Sequence, residues 1–171
     1  RARSKKSAVG LWQFIASTGR IYGLKINRWI DERRDPILST KAAITYLKHL
    51  YGIFGDWELA MAAYNTGEGR VKRAIKLAKR KGQKHNYSSL RLPRETRNYV
   101  PAIMALSVIY KNPERYGFGH VKKMQPMDET QGNLPVAFSL EEVAKRSKMP
   151  FRTLRELNPA LYLGVPPMTQ K

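Results

Sequence analysis

The chain has 171 residues, of which 42% are hydrophobic; this is enough for one packed domain with a small appendage, so a wholly disordered chain is excluded. It has no cysteine, which excludes disulfides and thiolate metal sites, and no apolar run approaches the roughly 18 residues of a membrane span. The net charge of +19 favours a polyanionic partner, such as nucleic acid, anionic lipid or an acidic cell-wall polymer, although a purely solubilising surface would carry the same charge.

Two helices are predicted in the first third of the chain. Ser7 is expected to cap the first, which runs through the block around Trp12 and ends near Gly19 or Gly23. Asp35 followed by Pro36 marks the start of the second, because the aspartate offers a cap acceptor and proline needs no N–H at the first helical position. Apolar spacing predicts that the second helix buries Ile37, Ala43, Ile44, Leu47, Leu50 and Tyr51.

Three more helices are predicted before residue 112. Asp56 caps a short helix whose Leu59–Ala63 run is apolar on nearly all sides, which is typical of a central, buried helix. After a turn with two glycines, Arg70–Lys81 is predicted to be a basic amphipathic helix. Pro93 opens the last of the three. Its inner face is predicted to contain Tyr99, Ile103, Leu106 and Tyr110.

The loss of helical periodicity after residue 117 predicts three regions. Residues 1–117 are expected to form the main helical domain, which also carries most of the positive charge. Residues 118–133, with glycines and a proline but no periodicity, are expected to be a linker. Residues 134–171 are expected to form a small β-α-α piece. The predicted fold class is therefore all-α with this appendage.

Within the appendage, Leu134–Phe138 is predicted to be a short strand. Ser139 and Glu142 have the spacing of a capping box, in which each side chain satisfies the other residue's backbone N–H. Two short helices are therefore expected to follow, the second ending at Leu157.

Metal, phosphate and nucleic-acid chemistry have little support. The histidines His49, His85 and His120 have no second ligand at helical spacing, and the glycine turn follows a helix rather than a strand. No metal and no cofactor are expected. Nucleic-acid binding rests only on the basic helix and scattered aromatics, without a recognisable signature, so no nucleic-acid partner is predicted.

Carbohydrate binding explains the sequence better. Three blocks, Gly10–Phe14, Ala62–Asn65 and Glu95–Val100, combine aromatic rings with uncharged amides or glycine. Sugar rings stack on tryptophan and tyrosine, while amides such as Gln13 match hydroxyl and N-acetyl groups as donors and acceptors. The three blocks therefore predict the walls of a polar, ring-stacking groove.

Cleavage of a glycosidic bond needs a carboxylic acid that stays protonated near neutral pH. Glu32 is expected in an ion-pair cluster that pins a loop. Glu68 and Glu95 lie in first turns of helices, where the helix dipole favours an ionised carboxylate. None of the three is therefore a convincing proton donor.

Four segments together resemble, in order and spacing, the catalytic domain of lytic murein transglycosylases of the type D branch, which is related to goose-type lysozyme. They are SAVGLWQFIASTGRIYGL, DERRDP, GDWELAMAAYNTGEGRV and LPRETRNYVPAIMAL, within roughly residues 2–117. The resemblance implies an all-α, lysozyme-like fold. It also implies cleavage of the MurNAc–GlcNAc β-1,4 bond of peptidoglycan without water, in the periplasm or at the outer membrane. In that reaction a glutamate protonates the glycosidic oxygen, the MurNAc C6 hydroxyl attacks C1, and a 1,6-anhydro end remains.

The resemblance assigns substrate binding to Trp12, Gln13, Tyr64, Asn65, Glu95 and Tyr99. The family's catalytic glutamate would fall before Arg1, so no catalytic residue is expected in this chain and the chain alone is not expected to turn over. Either the sequence begins after that glutamate, which its start without methionine favours, or the protein lacks it. A non-catalytic glycan-binding module and a basic nucleic-acid binder remain the alternatives. Membrane anchoring through a missing N-terminus also remains open.

The C-terminal segment LPVAFSLEEVAKRSKMPFRTLRELNPAL is similar to a LysM-like module, which binds GlcNAc-containing glycan through a β-α-α-β fold. The returning strand is not evident in the sequence. A plain helical appendage is therefore the alternative.

Overall fold

The computed structural model describes residues 7–122 and 138–161, and these residues are predominantly helical. The described helices are α1 (Ala16–Ile21), α2 (Pro36–Phe54), α3 (Trp57–Thr66), α4 (Glu68–Arg80), α5 (Arg94–Lys111), α6 (Leu140–Ser147) and α7 (Phe151–Leu157). Short 3₁₀ turns lie at Glu32–Arg34, Tyr87–Ser89 and Glu114–Tyr116. The predicted all-α class is confirmed. Each of the described helices is too short or too polar to cross a lipid bilayer.

The chain divides into two compact units. Unit 1 comprises Arg1–Thr45 and Met127–Lys171, and unit 2 comprises Tyr46–Pro126. The domain boundaries expected from the sequence stay a prediction. The expected strand at Leu134–Phe138 and most of the expected linker lie outside the described residues.

Local capping chemistry sets three helix starts, and all three were predicted. Asp35 Oδ1 accepts the backbone N–H groups of the second and third residues of α2, both over 2.8 Å. Asp56 Oδ1 accepts the N–H of Leu59 at the start of α3, also over 2.8 Å. Ser139 and Glu142 form the capping box of α6. These contacts satisfy donors that have no partner inside the helix.

The helix expected from Ser7 onwards is wrong in its first half. Residues 8–14 form a turn closed by an antiparallel bridge between Val9 and Phe14, and α1 begins only at Ala16. Gly10 has φ +82° and Gln13 has φ +51°, whereas a right-handed helix needs negative φ. The apolar spacing of this segment imitates a helix, but its backbone follows a tight turn.

Helix α3 forms the centre of unit 2, as its apolar sequence predicts. The buried core of the unit consists of Leu50, Leu59, Ala60, Ala62, Ala63, Val71, Ala78, Leu90, Leu92 and Val100. Because the side chains of α3 at these contacts are mostly alanines, α4 and α5 can approach it closely. The basic helix α4 places Val71 and Ala78 in this core, as expected for the predicted amphipathic helix.

The predicted inner faces of α2 and α5 are only partly correct. On α2, Ala43 and Leu50 are fully buried, but Ile37, Ile44 and Tyr51 are exposed. Tyr51 instead stacks on Trp57, with ring centroids 4.4 Å apart. On α5, Leu106 and Tyr110 are exposed. The buried residues of this helix, Thr96 and Val100, lie in its N-terminal half. Periodicity identifies an apolar face but not how much of that face is covered.

A proline inside α5 is compensated by a tyrosine from the preceding loop. Pro101 has no backbone N–H, so the carbonyl of Arg97 has no donor from the helix. The Tyr87 hydroxyl lies 3.1 Å from that carbonyl and 3.1 Å from the Thr96 carbonyl, and it donates to this pair. Tyr87 thereby fastens the Tyr87–Ser89 turn to the first turns of α5.

In unit 1, the end of the helical pair α6–α7 contacts the loop after α1. The Asp31 N–H donates to the carbonyl of Ala160 over 2.7 Å, and Ile30 forms an antiparallel bridge with Leu161. This pairing joins residues that are far apart in the sequence.

Candidate functional site

A cluster of three tyrosines occupies one side of the core of unit 2. The rings of Tyr46 from α2 and Tyr64 from α3 are tilted at 42°, with centroids 5.2 Å apart. Burial raises the pKa of Tyr64 far above its usual value of 10.0, and the nearby hydroxyls of Tyr99 and Tyr46 raise it further. Burial also raises the pKa of Tyr99. The hydroxyls of Tyr64 and Tyr99 therefore stay neutral, and they can donate or accept hydrogen bonds at any physiological pH.

An amide is held next to this cluster. The Thr96 hydroxyl donates to Asn65 Oδ1 over 2.8 Å, and Thr96 itself is only 1% exposed. Asn65 lies at the C-terminal end of α3, directly after Tyr64, where Gly67 ends the helix with φ +92°. The hydrogen bond fixes the orientation of the amide, so that its NH₂ group is the part available to a ligand.

Glu95 occupies the first turn of α5 and is exposed. It lies four residues before Tyr99 and therefore on the same side of the helix. The structure thus brings Tyr64, Asn65 and Tyr99 together within unit 2, whereas Glu95 lies at the edge of this group in open solvent.

In unit 1, Trp12 and Gln13 lie on the Val9–Phe14 turn. The Trp12 indole N–H donates to Thr40 Oγ1 over 2.7 Å, which fixes the ring against α2. Gln13 is exposed, and its Nε2 donates to the carbonyl of Gly10 over 2.7 Å. Each of the two predicted side chains therefore forms a hydrogen bond that orients it.

A buried arginine holds this turn in place. The Arg33 guanidinium forms a two-point pair with Asp31, with Nε–Oδ1 of 2.8 Å and Nη2–Oδ2 of 2.9 Å. Its Nη1 donates to the carbonyls of Ser7 and Phe14 over 3.0 and 3.1 Å. Burial raises the pKa of Asp31, but the hydrogen bonds and charge of Arg33 outweigh burial and leave it lowered. An ion-pair cluster does pin this loop, but it is formed by Asp31, Arg33 and Arg34. The prediction is therefore wrong for Glu32, which instead accepts a backbone N–H from Lys25.

The three candidate acids do not have the surroundings of a proton donor. Glu32 Oε2 accepts the backbone N–H of Lys25 over 2.6 Å, and Glu68 forms a surface pair with Lys72 over 3.0 Å. Glu95 is exposed. Among residues 7–122 and 138–161, no group of histidines and carboxylates could hold a metal ion.

Sequence reasoning missed Tyr46, Thr96 and Thr40. Thr96 stands inside the Glu-Thr-x-x-Tyr block, but a threonine one turn before a tyrosine gives no sign that it faces another helix. Tyr46 could have been suspected, since it lies four residues before the buried Leu50 on α2. Nothing in the sequence points to Thr40 as the partner of Trp12.

Thr96→Val keeps the shape of the side chain but removes its donor, so Asn65 Oδ1 loses its partner in a half-buried position. We expect the free energy of unfolding to fall by about 1–2 kcal/mol. The measurement is urea unfolding followed by circular dichroism. Thr45→Val is the matched control, because the Thr45 hydroxyl bonds an exposed carbonyl of its own helix. Equal effects of the two substitutions would contradict a special role for Thr96.

The sequence matches the family model described as "Transglycosylase SLT domain" over residues 1–87. The chain is similar to the membrane-bound lytic murein transglycosylase D of Escherichia coli (strain K12), with 53% identity over 117 residues, 68% of this chain and 26% of that protein. It is also similar to a putative tributyltin chloride resistance protein of Alteromonas sp. (strain M-1), 46% identical over 81 residues, 47% of this chain and 39% of that protein. The peptidoglycan transglycosylase gp16 of Escherichia phage T7 is 37% identical over 101 residues, 58% of this chain and 7% of that protein. The chain thus spans about a quarter of the length of the first of these relatives.

Proposed function

Because the chain belongs to the transglycosylase SLT domain family, we propose that it is part of a peptidoglycan lytic transglycosylase. The reaction breaks the bond between MurNAc C1 and the glycosidic oxygen. A general acid protonates that oxygen, the MurNAc C6 oxygen bonds to C1, and the proton of the C6 hydroxyl returns to the carboxylate. No water is consumed, and the products are a GlcNAc hydroxyl and a 1,6-anhydroMurNAc end.

The observation that carries the proposal is the cluster of Tyr46, Tyr64 and Tyr99 with the oriented amide of Asn65. Neutral tyrosines offer ring faces and hydroxyls, and the amide offers N–H donors, which together suit a sugar with hydroxyl and N-acetyl groups. Glu95 lies at the edge of this group, where it can accept a hydrogen bond from a glycan hydroxyl. Relatives named murein or peptidoglycan transglycosylases support the same substrate.

Trp12 and Gln13 are proposed as further glycan-binding residues. A positive φ is uncommon for a glutamine, and such backbone conformations persist mainly where the surrounding structure enforces them, often at functional sites. The buried Arg33 enforces this one, because it holds the carbonyls at both ends of the turn. That support is a reason to expect that Gln13 is oriented for a ligand.

The proton donor is proposed to be a glutamate that precedes Arg1 in a longer protein. The supporting observation is the position of the three acids considered above, of which Glu32 and Glu68 have partners and Glu95 is exposed. None has the apolar burial that keeps a carboxylic acid protonated near pH 7.

The site of action is proposed to be the bacterial envelope, in the periplasm or at the outer membrane, since peptidoglycan lies there. A glycan-binding LysM-like role for the C-terminal segment is also proposed. It is supported only by the pair of consecutive helices α6 and α7, with the capping box at Ser139. A non-catalytic glycan-binding module is the alternative, and it would keep the tyrosine cluster without turnover.

The proposed reaction has a specific product. Purified murein is incubated with this chain and with a longer product of the same gene, and soluble fragments are identified by mass spectrometry. The longer protein should release anhydro-muropeptides, whereas this chain should bind murein without releasing them. Release by this chain alone would place the acid among its own residues. Reducing ends in place of anhydro ends would identify a hydrolase, and binding without turnover by the longer protein would favour the non-catalytic alternative.

A further inference from the structure

A groove on the surface of unit 2 involves none of the proposed glycan-binding residues. It lies between the C-terminal end of α2 and one face of α4, and it is a shallow, open depression of about 440 Å³. Ile53 and Phe54 from α2 and Ile75 from α4 form its apolar wall.

One group of the residues that line the groove is strongly positive. It consists of four cations of α4: Lys72, Lys76, Lys79 and Arg80. Lys72 pairs with Glu68 over 3.0 Å. Within the described part of the chain, no ion pair with an acidic residue is recorded for the other three. Like charges three or four residues apart on a helix repel each other, so an anion bound here would relieve that repulsion.

The cations are spaced along the helix like the acidic groups of an extended peptide. Lys72 and Lys76 are separated by four residues, a rise of about 6 Å at 1.5 Å per residue. Acidic residues at alternate positions of an extended chain are about 6.6 Å apart. Lys79 and Arg80 continue the row by about one more step of this length. A short acidic peptide could therefore place its carboxylates along the cations and its small apolar side chains against the Ile53 wall.

We infer that this groove binds the peptide branch of the substrate, as a short acidic peptide. The inference rests on the proposed function, since peptidoglycan carries peptides with several carboxylates on its glycan strands. The apolar wall favours a peptide over a nucleic acid, whose phosphates would leave Ile53 and Phe54 without contacts.

The test is a binding comparison with two polymers, intact murein and murein glycan strands from which an amidase has removed the peptides. The variant is Lys76→Gln with Lys79→Gln. Its matched control is Lys81→Gln with Lys84→Gln, which removes the same charge from two exposed lysines outside the groove. The wild-type chain should bind intact murein about three- to tenfold more tightly than the peptide-free strands, as expected for two exposed charge pairs.

In the groove variant this preference should disappear, while its affinity for peptide-free strands stays unchanged. The control variant should keep the preference. If the groove variant and the control variant lost this preference equally, murein would be attracted by positive charge in general, and the inference would be overturned. It would also be overturned if the groove variant lost affinity for phosphatidylglycerol vesicles or duplex DNA but not for intact murein. Wild-type protein that binds both murein polymers equally overturns this inference alone, whereas no binding to either overturns the proposed function as well.

The apolar wall has its own control. Ile53→Ser should weaken binding to intact murein, because it removes an exposed part of the wall. Leu77→Ser changes an exposed apolar residue of α4 outside the groove and should have no effect. Equal behaviour of these two variants would exclude a contribution from the wall.

Discussion

Replacing Arg33 with methionine is expected to lower the free energy of unfolding of unit 1 by about 3–5 kcal/mol. The substitution leaves the carboxylate of Asp31, which is 7% exposed, without its two-point partner. It also removes the donor to the carbonyls of Ser7 and Phe14. Arg34, with Nε 3.5 Å from Asp31 Oδ2, is too distant to take over both bonds. The loss should appear as faster hydrogen exchange in residues 7–35, measured by mass spectrometry.

Arg28→Met is the control for this change, because Arg28 is an exposed arginine whose guanidinium lies 4.4 Å from the ring centroid of Trp29. Its effect should stay within about 1 kcal/mol. The double variant Asp31→Asn with Arg33→Met should cost less than the sum of the single changes, since it removes the buried carboxylate that Arg33→Met leaves without its two-point partner. A loss below about 1 kcal/mol for Arg33→Met would mean that the pair is not needed for the turn.

The same pair gives a dependence on pH. The pKa of Asp31 in the folded protein is below its usual value of 3.8. The ionised Asp31 carboxylate therefore makes its full contribution to the free energy of unfolding above pH 3.8. That contribution is lost as the pH falls through the lower pKa of Asp31 in the folded protein. The difference in unfolding free energy between the wild type and Arg33→Met should accordingly shrink in that acidic range. It should level off only above the pKa of Asp31 in the variant, which burial raises once Arg33 is absent.

Replacing Gly10 with alanine is expected to disrupt the turn that carries Trp12 and Gln13. A Cβ at this position would lie 1.8 Å from the backbone oxygen of Arg33, far inside van der Waals contact. The φ of +82° would cost alanine a further 1–2 kcal/mol, roughly. Together with the enforced backbone shift, the total loss should be about 3–5 kcal/mol. Urea unfolding monitored by tryptophan fluorescence measures it.

Gly23→Ala separates the cost of a positive φ from the cost of the clash with Arg33. Gly23 has a similar φ of +86°, but a Cβ there would meet nothing within 4 Å. The free energy of unfolding of Gly23→Ala should therefore fall only by the cost of the positive φ, about 1–2 kcal/mol. If the two alanine variants were equally stable, the close approach of Gly10 to Arg33 would carry no energetic weight. Weaker murein binding by Gly10→Ala than by Gly23→Ala would support the proposed role of Gln13.

Features encoded within a few residues could be predicted from the sequence. The helix starts at Asp35, Asp56 and Ser139 depend on a side chain and the backbone two or three residues later, so the sequence contains the whole interaction. The buried character of α3 follows from its unbroken apolar run in the same way. The residue types of the candidate site, aromatic and amide, were predictable for the same reason.

Features that depend on distant partners could not be predicted. The turn at Gly10 is specified by the carbonyl of Arg33, more than 20 residues later, and its own apolar spacing favours a helix. The partner of Asn65 lies 31 residues away, on another helix. The exposure of Leu106 depends on which elements pack against α5, which its periodicity does not reveal.

The pairing of Asp31 with Ala160 also has a consequence for biosynthesis. Unit 2 lies within one continuous stretch, so it can fold as soon as that stretch has left the ribosome. The N–H of Asp31, by contrast, can form its hydrogen bond only after Ala160 has been translated. Nascent unit 1 therefore spends longer incomplete than unit 2, although its first half is made earlier. In the cell, this is the interval in which a chaperone or a protease would find the Arg33 turn least protected.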